Sequence, residues 1–319
     1  AYEYARDGRI AARTANGVRQ EYGYDARGRL LSVREGGEEV ECYAYDGAGN
    51  VLRKTVRGRT TTYAYDGANQ LVSSECGGAR TEYAYDAAGR LVREGSRTYR
   101  YGYLDKVLAV TEGNKTFTYA YHPDGQLARA DYGGGRTEDF EWDGLALVRR
   151  GDERFVNEPH PGGGNPVASS KGVAYLNDAL GTTVGARRGA RYSAAALTAF
   201  GEGDAAYFTG KPAVAGLGRA FLCCNYRPDL AKWQTADPLG YPDGWNQLAY
   251  CGNRVTDAVD LWGAMAYDPH GLNEYELMQL ASAIDTWLEA ANNSLYGLAG
   301  WVAGRPYTLS FLSRYMGSL

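Results

Sequence analysis

The chain has 319 residues, enough to bury a core in one or two domains. Its formal net charge is −4, which does not favour broad electrostatic binding to nucleic acid, and no stretch approaches the ~20 apolar residues of a membrane-spanning helix. The 43 Gly and 27 Tyr, against 3 Met and 7 Phe, are typical of short strands joined by many tight turns.

A short phrase recurs through the first half of the chain. Its four clearest copies begin at Tyr22, Tyr43, Tyr63 and Tyr83, and each reads Tyr, Gly or Ala, Tyr, Asp. The Tyr-Asp pairs of these copies are separated by 21, 20 and 20 residues. A fixed period of this kind predicts that each copy is one supersecondary unit stacked on its neighbours.

Each copy is predicted to be a β-hairpin. Tyr83 and Tyr85 are two positions apart, so they share one face of a strand. The residues from Asp86 to Gly89 supply turn chemistry, and Leu91 opens the return strand. Weaker copies with altered residues begin at Tyr2, Tyr101, Tyr119 and Phe140.

The predicted fold class is therefore mainly β, with hairpins stacked in a spiralling antiparallel sheet. Because there are about eight copies, we expect a curved, partly open shell. The rows of tyrosines are expected to pack against each other and against the core. A carbohydrate-binding surface is the alternative, since aromatic rings also suit the faces of sugars.

The regular period ends in a Pro- and Gly-rich stretch at residues 157–164. We therefore expect a repeat sheet at 1–156, a second β-rich block at 157–264 and a helical segment at 265–319. Residues 273–293 are predicted to form an amphipathic helix, with Asn273 as cap and Glu276 completing a capping box. The apolar face of this helix is formed by Leu277, Leu280, Ala281, Ile284, Leu288 and Ala291.

Cysteine and histidine give no sign of a metal site. The five Cys lack metal-ligand spacing, and the three His are scattered along the chain. We predict free thiols, no metal, no cofactor and no histidine-based triad.

The ordered set of motifs resembles the RHS/YD-repeat family of the polymorphic toxin type. Besides the Tyr-Asp repeats, residues 178–181 (Asp-Ala-Leu-Gly) resemble the family's DHLGS element, and residues 208–211 (Phe-Thr-Gly-Lys) resemble its FTGK element. Residues 225–263 resemble the RHS repeat-associated core. The resemblance covers residues 1 to about 264.

The resemblance implies a shell that encloses the protein's own C-terminal segment, with the core block as a plug. It also implies a bacterial protein that is secreted or at the cell surface, although no signal peptide begins this chain. The partners expected are the chain's own C-terminal segment and an immunity protein or secretion machinery. No nucleic acid is expected, and carbohydrate is the alternative ligand.

In several family members the core block is an aspartyl autoprotease, and the matching residues here are Asp237 and Asp260, 23 positions apart. One carboxylate would act as a base toward water while the other, protonated, polarises the carbonyl. The bond implied is Ala264–Met265. The slot that holds arginine in active members is Cys224 here, and Arg227 is three positions further on, an odd offset that points to the opposite face of a strand.

A structural alternative exists for the same two residues. Asp-Pro at 237–238 and Asp-x-x-Gly at 260–263 are ordinary turn signals, so both aspartates could simply cap turns in a plug. The usual Asp-Pro-x-Gly-Leu of the family is here Asp-Leu-Trp-Gly-Ala at 260–264. The sequence therefore leaves the enzymatic activity open.

Overall fold

The computed structural model describes residues 1–158, 164–241, 243–264 and 266–267. Within these ranges the chain forms strands and turns, with short 3-10 segments at Tyr103–Asp105 and Tyr250–Asn253 and no α-helix. The predicted C-terminal helix lies outside the described residues. No helix long and apolar enough to cross a membrane occurs in this part of the chain.

Twenty-one of the described strands form one antiparallel sheet, in which each strand pairs with its neighbours in the chain. They are β1 (Tyr2–Tyr4), β2 (Ile10–Ala15), β3 (Val18–Tyr24), β4 (Leu30–Glu35), β5 (Glu38–Tyr45), β6 (Val51–Val56), β7 (Arg59–Tyr65), β8 (Leu71–Cys76), β9 (Ala79–Tyr85), β10 (Leu91–Glu94), β11 (Arg97–Tyr101), β12 (Val107–Glu112), β13 (Lys115–Tyr121), β14 (Leu127–Asp131), β15 (Thr137–Asp143), β16 (Ala146–Arg150), β17 (Glu153–Asn157), β18 (Pro166–Ser169), β19 (Val173–Asn177), β20 (Thr183–Arg188) and β21 (Arg191–Ala194). The predicted mainly-β class and the antiparallel pairing of hairpins are confirmed. We call these 21 strands the wall.

Two smaller sheets follow in the chain. The first contains β22 (Tyr207–Phe208), β23 (Lys211–Val214), β24 (Gly218–Ala220), β25 (Asn225–Arg227) and β26 (Lys232–Trp233). The second is the pair β27 (Val259–Asp260) and β28 (Ala266–Tyr267). We call the described residues from Phe200 to Ala264 the core block.

The wall continues past residue 156, where the sequence predicted the end of the repeat sheet. Strands β18 to β21 lack the Tyr-Asp phrase but extend the same sheet, beginning with the pairing of β17 and β18. An edge strand carries unpaired N–H and C=O groups, so any suitable strand can extend it without the repeat motif.

The aspartate of each repeat caps the turn that follows it. The Asp86 carboxylate accepts hydrogen bonds at 3.0 Å from the backbone N–H groups of Ala88 and Arg90. Gly89 has a φ of +77°, and Asn69 takes the same position in the preceding repeat with a φ of +61°. Asn is one of the few residues that tolerate this left-handed backbone, so the turn survives without glycine. The predicted turn chemistry is confirmed.

A β-bulge recurs where each repeat reaches its second tyrosine. Ala44 is opposite Arg53 but Tyr45 is opposite Val51, so Leu52 is left out of the pairing. Comparable shifts occur in the hairpins that contain Tyr24, Tyr65, Tyr85, Tyr101 and Tyr121. A bulge bends its strand and increases the local twist, so a bulge at a fixed period curls the whole sheet.

The second tyrosine also ties each repeat to the one before it. The hydroxyl of Tyr45 donates to the carbonyl of Leu30 at 2.5 Å, and that of Tyr65 donates to the carbonyl of Val51 at 3.0 Å. The equivalent bonds join Tyr24 to Ile10, Tyr101 to Leu91 and Tyr121 to Val107. The structure thus gives these tyrosines a packing role, and sugar stacking stays a prediction.

Tyr45→Phe is expected to reduce the free energy of unfolding by about 1 kcal/mol, because the Leu30 carbonyl loses its hydroxyl donor while the ring still packs. Denaturant unfolding would measure the change. The control is Tyr4→Phe, whose side chain is 54 % exposed, and it should leave stability unchanged. Equal stability of the Tyr45→Phe and unchanged proteins would contradict the role of the hydroxyl.

The two ends of the wall meet through side chains. Arg13 of β2 forms an ion pair at 2.7 Å with Asp178, which follows β19. Asn16 donates to the Val184 carbonyl at 3.0 Å and accepts a hydrogen bond from the Tyr192 hydroxyl. No ladder of backbone hydrogen bonds joins these ends within the described ranges, so side-chain contacts complete the circuit.

The core block fills the inside of this circuit. Phe200 packs on Tyr43 with ring centroids 4.8 Å apart, and Tyr207 meets the rings of Phe155 and Tyr175 edge-on at 5.9 and 5.3 Å. These contacts join the block to widely separated strands of the wall. The hydrophobic core therefore lies between the inner face of the wall and the block.

Buried charges also fasten the block to the wall. Arg227, whose side chain is only 5 % exposed, lies 2.9 Å from Glu94 of β10 and 2.6 Å from Asp229. Lys54 of β6 pairs with Glu202 at 2.7 Å. Because an isolated buried charge is costly, these pairs specify how the block sits in the wall.

Candidate active site

Three aspartates, Asp237, Asp243 and Asp260, lie at the end of the core block, and burial raises the pKa of each. Burial raises the pKa of Asp237 to about 8, and the charges of the other two carboxylates add to that rise. Burial raises the pKa of Asp260 to about 7, with a further contribution from Asp243. The two aspartates chosen from the sequence therefore lie within electrostatic reach of each other.

Asp260 sits at the end of β27 and shapes the turn that follows. One carboxylate oxygen accepts hydrogen bonds from the N–H groups of Trp262 at 3.0 Å and Gly263 at 2.7 Å. The other oxygen, Oδ2, is buried and finds no hydrogen-bond partner among the described residues. Gly263 has a φ of +80°, and a Cβ there would lie 3.0 Å from the backbone nitrogen of Cys224. Asp260 thus stabilises the turn through one carboxylate oxygen, while Oδ2 accepts no hydrogen bond from the described residues.

Asp237 also caps a turn. Its carboxylate accepts the N–H of Leu239 at 2.8 Å, and its carbonyl accepts the N–H of Gly240 at 3.2 Å. Both aspartates therefore make the turn-capping bonds that the structural alternative requires. Burial also raises the pKa of both aspartates, which makes them candidates for an acid–base pair as well as turn caps.

Asp243 was not singled out from the sequence. Both of its carboxylate oxygens lie 2.9 Å from the backbone nitrogen of Ala266 in β28. Ala266 in turn pairs with Asp260 across the two-stranded sheet. The chain is therefore held on both sides of the predicted cleavage position, although Met265 itself lies outside the described residues.

The candidate cation for this site is Lys211, which comes from the Phe-Thr-Gly-Lys element and lies within electrostatic range of Asp260. Lys211 is buried, and burial lowers its pKa to about 8 while the negative charge of Asp260 opposes that shift. The sequence had pointed to the Cys224 slot, 13 positions before Asp237, for a cation. Lys211 lies 49 positions before Asp260, so chain spacing gave no signal of their proximity.

The positions considered from the sequence for a cation, Cys224 and Arg227, do not supply one to the aspartates. Burial raises the pKa of the Cys224 thiol well above its ordinary value, and its sulfur accepts a hydrogen bond from Thr235 at 3.4 Å. Arg227 is engaged by Glu94 and Asp229, as its predicted orientation away from the aspartates implied. The Cys224 thiol is therefore neutral near pH 7, and Arg227 joins the core block to the wall.

The arrangement suits general acid–base chemistry near neutral pH. With pKa values of about 8 and about 7, Asp237 is mostly protonated at pH 7 and Asp260 is about half ionised. Two carboxyl groups with separated pKa values can act as acid and base on one bond. In the part of the chain that the structure describes, no group of three or more His, Cys, Asp or Glu side chains is arranged to hold a metal ion.

Part of the wall matches a known protein family. Residues 3–144 match the family model described as Teneurin YD-shell. The chain carries an RHS-like YD-repeat domain. The candidate aspartates of the core block lie outside the matched residues, so their assignment as a site depends on the geometry above. No curated protein matches the sequence.

The fold of this chain is similar to that of part of several solved toxin structures. The Photorhabdus luminescens Tc holotoxin pore, with a mutation in TccC3, has a TM-score of 0.54 and 15 % identity over 86 % of this chain and 18 % of its own. The crystal structure of TcdB2-TccC3 has a TM-score of 0.55 and 14 % identity over 82 % of this chain and 18 % of its own. TcdB2-TccC3 without its hypervariable C-terminal region gives the same values. The chain thus spans less than a fifth of those chains.

Proposed function

We propose that this chain is the plugged end of an RHS-type polymorphic toxin shell and that it holds its own C-terminal segment. The observation that supports the proposal is the wall around the core block, whose two ends meet through the ion pair of Arg13 with Asp178, and from which the chain leaves at β28. In this proposal residues 1–194 form the shell wall, the core block is the plug and residues 265–319 are the cargo. Secretion and an immunity partner belong to the same proposal.

Limited proteolysis of the full-length protein tests whether the C-terminal segment is held. We expect cleavage within residues 268–319 to be at least tenfold slower than in a free peptide of the same sequence, because a docked backbone must open locally before it is cut. The peptide is the matched control. Equal cleavage rates would contradict the holding function.

A second function, aspartyl autoproteolysis after Ala264, is favoured by the cluster around Asp260. Ionised Asp260 would take a proton from water through Oδ2, and the resulting hydroxide would attack the Ala264 carbonyl carbon. Protonated Asp237 would hydrogen-bond the carbonyl oxygen and stabilise the charge that develops there. The C–N bond then breaks, and the proton passes to the departing nitrogen. Lys211 would offset the charge of Asp260.

The rate of this cleavage is expected to be greatest between pH 7 and pH 8. Asp260 must be ionised, which requires a pH above its pKa of about 7, and Asp237 must be protonated, which requires a pH below its pKa of about 8. The rate should fall about tenfold per pH unit on either side. Intact-mass measurements at fixed times after refolding at each pH would give the profile.

Lys211→Met provides an internal check on the pH profile. Loss of the cation should raise the pKa of Asp260 and move the acid limb to higher pH, while the alkaline limb, set by Asp237, moves less. A rate of cleavage independent of pH, or an acid limb that stays in place, would contradict these roles.

A further inference from the structure

An exposed aromatic pair lies on the loop that carries Asp243. The side chain of Trp245 is 86 % exposed and that of Tyr241 is 61 % exposed, with ring centroids 6.0 Å apart. Tryptophan is usually among the more buried residue types in a folded domain. Adjacent exposed rings are typical of a surface that binds a partner.

The same loop contacts the strand by which the chain leaves the core block, β28. Asp243, between Tyr241 and Trp245 in sequence, holds the backbone nitrogen of Ala266. The 52 residues that follow Tyr267 are therefore tethered through a strand that is held by Asp243, which is two positions from each aromatic residue in the sequence. A segment tethered this closely meets the pair at an effective concentration of the order of millimolar.

The segment that follows has a suitable apolar face. Its apolar residues recur at helical spacing from Leu277 to Ala291, so the sequence predicts one continuous stripe. Residue 277 is ten positions after Tyr267, which allows an extended reach of roughly 33 Å. An amphipathic helix laid on an aromatic surface is a common way to bind a segment of this kind.

We propose that Tyr241 and Trp245 are the docking surface for the apolar face of residues 273–293 of the same chain. Asp243 directs the segment onto that surface by fixing its first residues at Ala266. This inference rests on the proposed function, because it names where the chain holds its own C-terminal segment. It does not require the bond after Ala264 to be cleaved.

Photo-crosslinking of the full-length chain identifies the occupant directly. Trp245→p-benzoylphenylalanine, in an Asp237→Asn background that keeps the segment attached, is irradiated at low protein concentration and its cross-links are mapped by mass spectrometry. We expect cross-links within the chain to residues 273–293, at a yield at least fivefold above that of Tyr4→p-benzoylphenylalanine. Tyr4 is a matched control because it is also exposed and lies 6.4 Å from a second ring, that of Tyr2. Adding Asp243→Ala should lower the yield several-fold.

Each other outcome overturns the inference. Cross-links between two chains would show that a second copy occupies the surface, and a yield equal to that of the Tyr4 control would show that nothing docks there. Protection of the C-terminal segment from protease without Trp245 cross-links would reject the docking surface and leave the holding function intact. Loss of both signals would reject the two together.

Discussion

Asp237→Asn is expected to give a single polypeptide of full length, whereas the proposed autoproteolysis predicts that the unchanged protein separates into fragments of 264 and 55 residues. Asparagine keeps the side-chain oxygen that accepts the Leu239 N–H, so the turn at this position should persist. It cannot supply the carboxyl proton that polarises the Ala264 carbonyl. We expect the rate to fall by about 10²–10⁴-fold, the range typical of a lost general acid or base.

Asp66→Asn is the matched control for this experiment. Asp66 also caps a turn, accepting the N–H groups of Ala68 and Gln70, but it lies in the wall. It should leave fragment formation unchanged, while Asp260→Asn should abolish it as Asp237→Asn does. A single full-length mass for the unchanged protein would remove the autoprotease and leave the aspartates as turn caps of the plug. Cleavage that persists in Asp237→Asn would reject Asp237 as the acid.

Arg227→Leu is expected to reduce the free energy of unfolding by about 3–5 kcal/mol. The guanidinium is buried between Glu94 of the wall and Asp229 of the core block, and it also donates to the Tyr99 hydroxyl at 2.8 Å. Among the described residues, its removal leaves the Glu94 carboxylate, which is 14 % exposed, with only the longer ion pair to Arg97 at 3.5 Å, and removing one partner of a buried pair usually costs more than the net value of the pair. Denaturant unfolding followed by tryptophan fluorescence would measure the loss.

Two further variants separate the buried pair from a general effect of losing an arginine. Arg129→Leu breaks an ion pair on the outside of the wall, where Arg129 and Asp139 are 56 % and 43 % exposed, and it should change stability little. Adding Glu94→Gln to Arg227→Leu should recover part of the loss, because the largely buried Glu94 side chain then carries no charge. A stability of Arg227→Leu equal to that of Arg129→Leu would contradict the fastening role.

The proposed double role of Asp237 and Asp260, as turn caps and as acid and base, is compatible with their turns. Asp260 uses one oxygen to hold the turn and keeps the other uncommitted, so capping and acid–base chemistry do not compete for the same atom. Burial that makes the turn rigid also raises the pKa into the neutral range. A turn cap of this kind can therefore become an acid or base when a second carboxyl group is packed beside it.

Local chemistry explains why the repeats could be predicted from the sequence. A Tyr-x-Tyr-Asp phrase contains its own strand alternation and its own turn cap, so the hairpin around Asp86 needs no distant residue to be predicted. The fixed period then determines that hairpins stack in chain order. The mainly-β class, the turns and the choice of Asp237 and Asp260 all come from such short-range or motif-level signals.

Contacts between distant parts of the chain decided the rest. The ion pair of Arg13 with Asp178 spans 165 positions, and the charge of Asp260 acts on Lys211, 49 positions before it in the sequence. Asp243 gained its role only because β28 folds back beside β27 and brings Ala266 to it. The curvature of the sheet accumulates over many bulges and determines which distant residues come into contact. Burial then determines the pKa values of those residues. Neither the total curvature nor the degree of burial can be read from a short stretch of sequence.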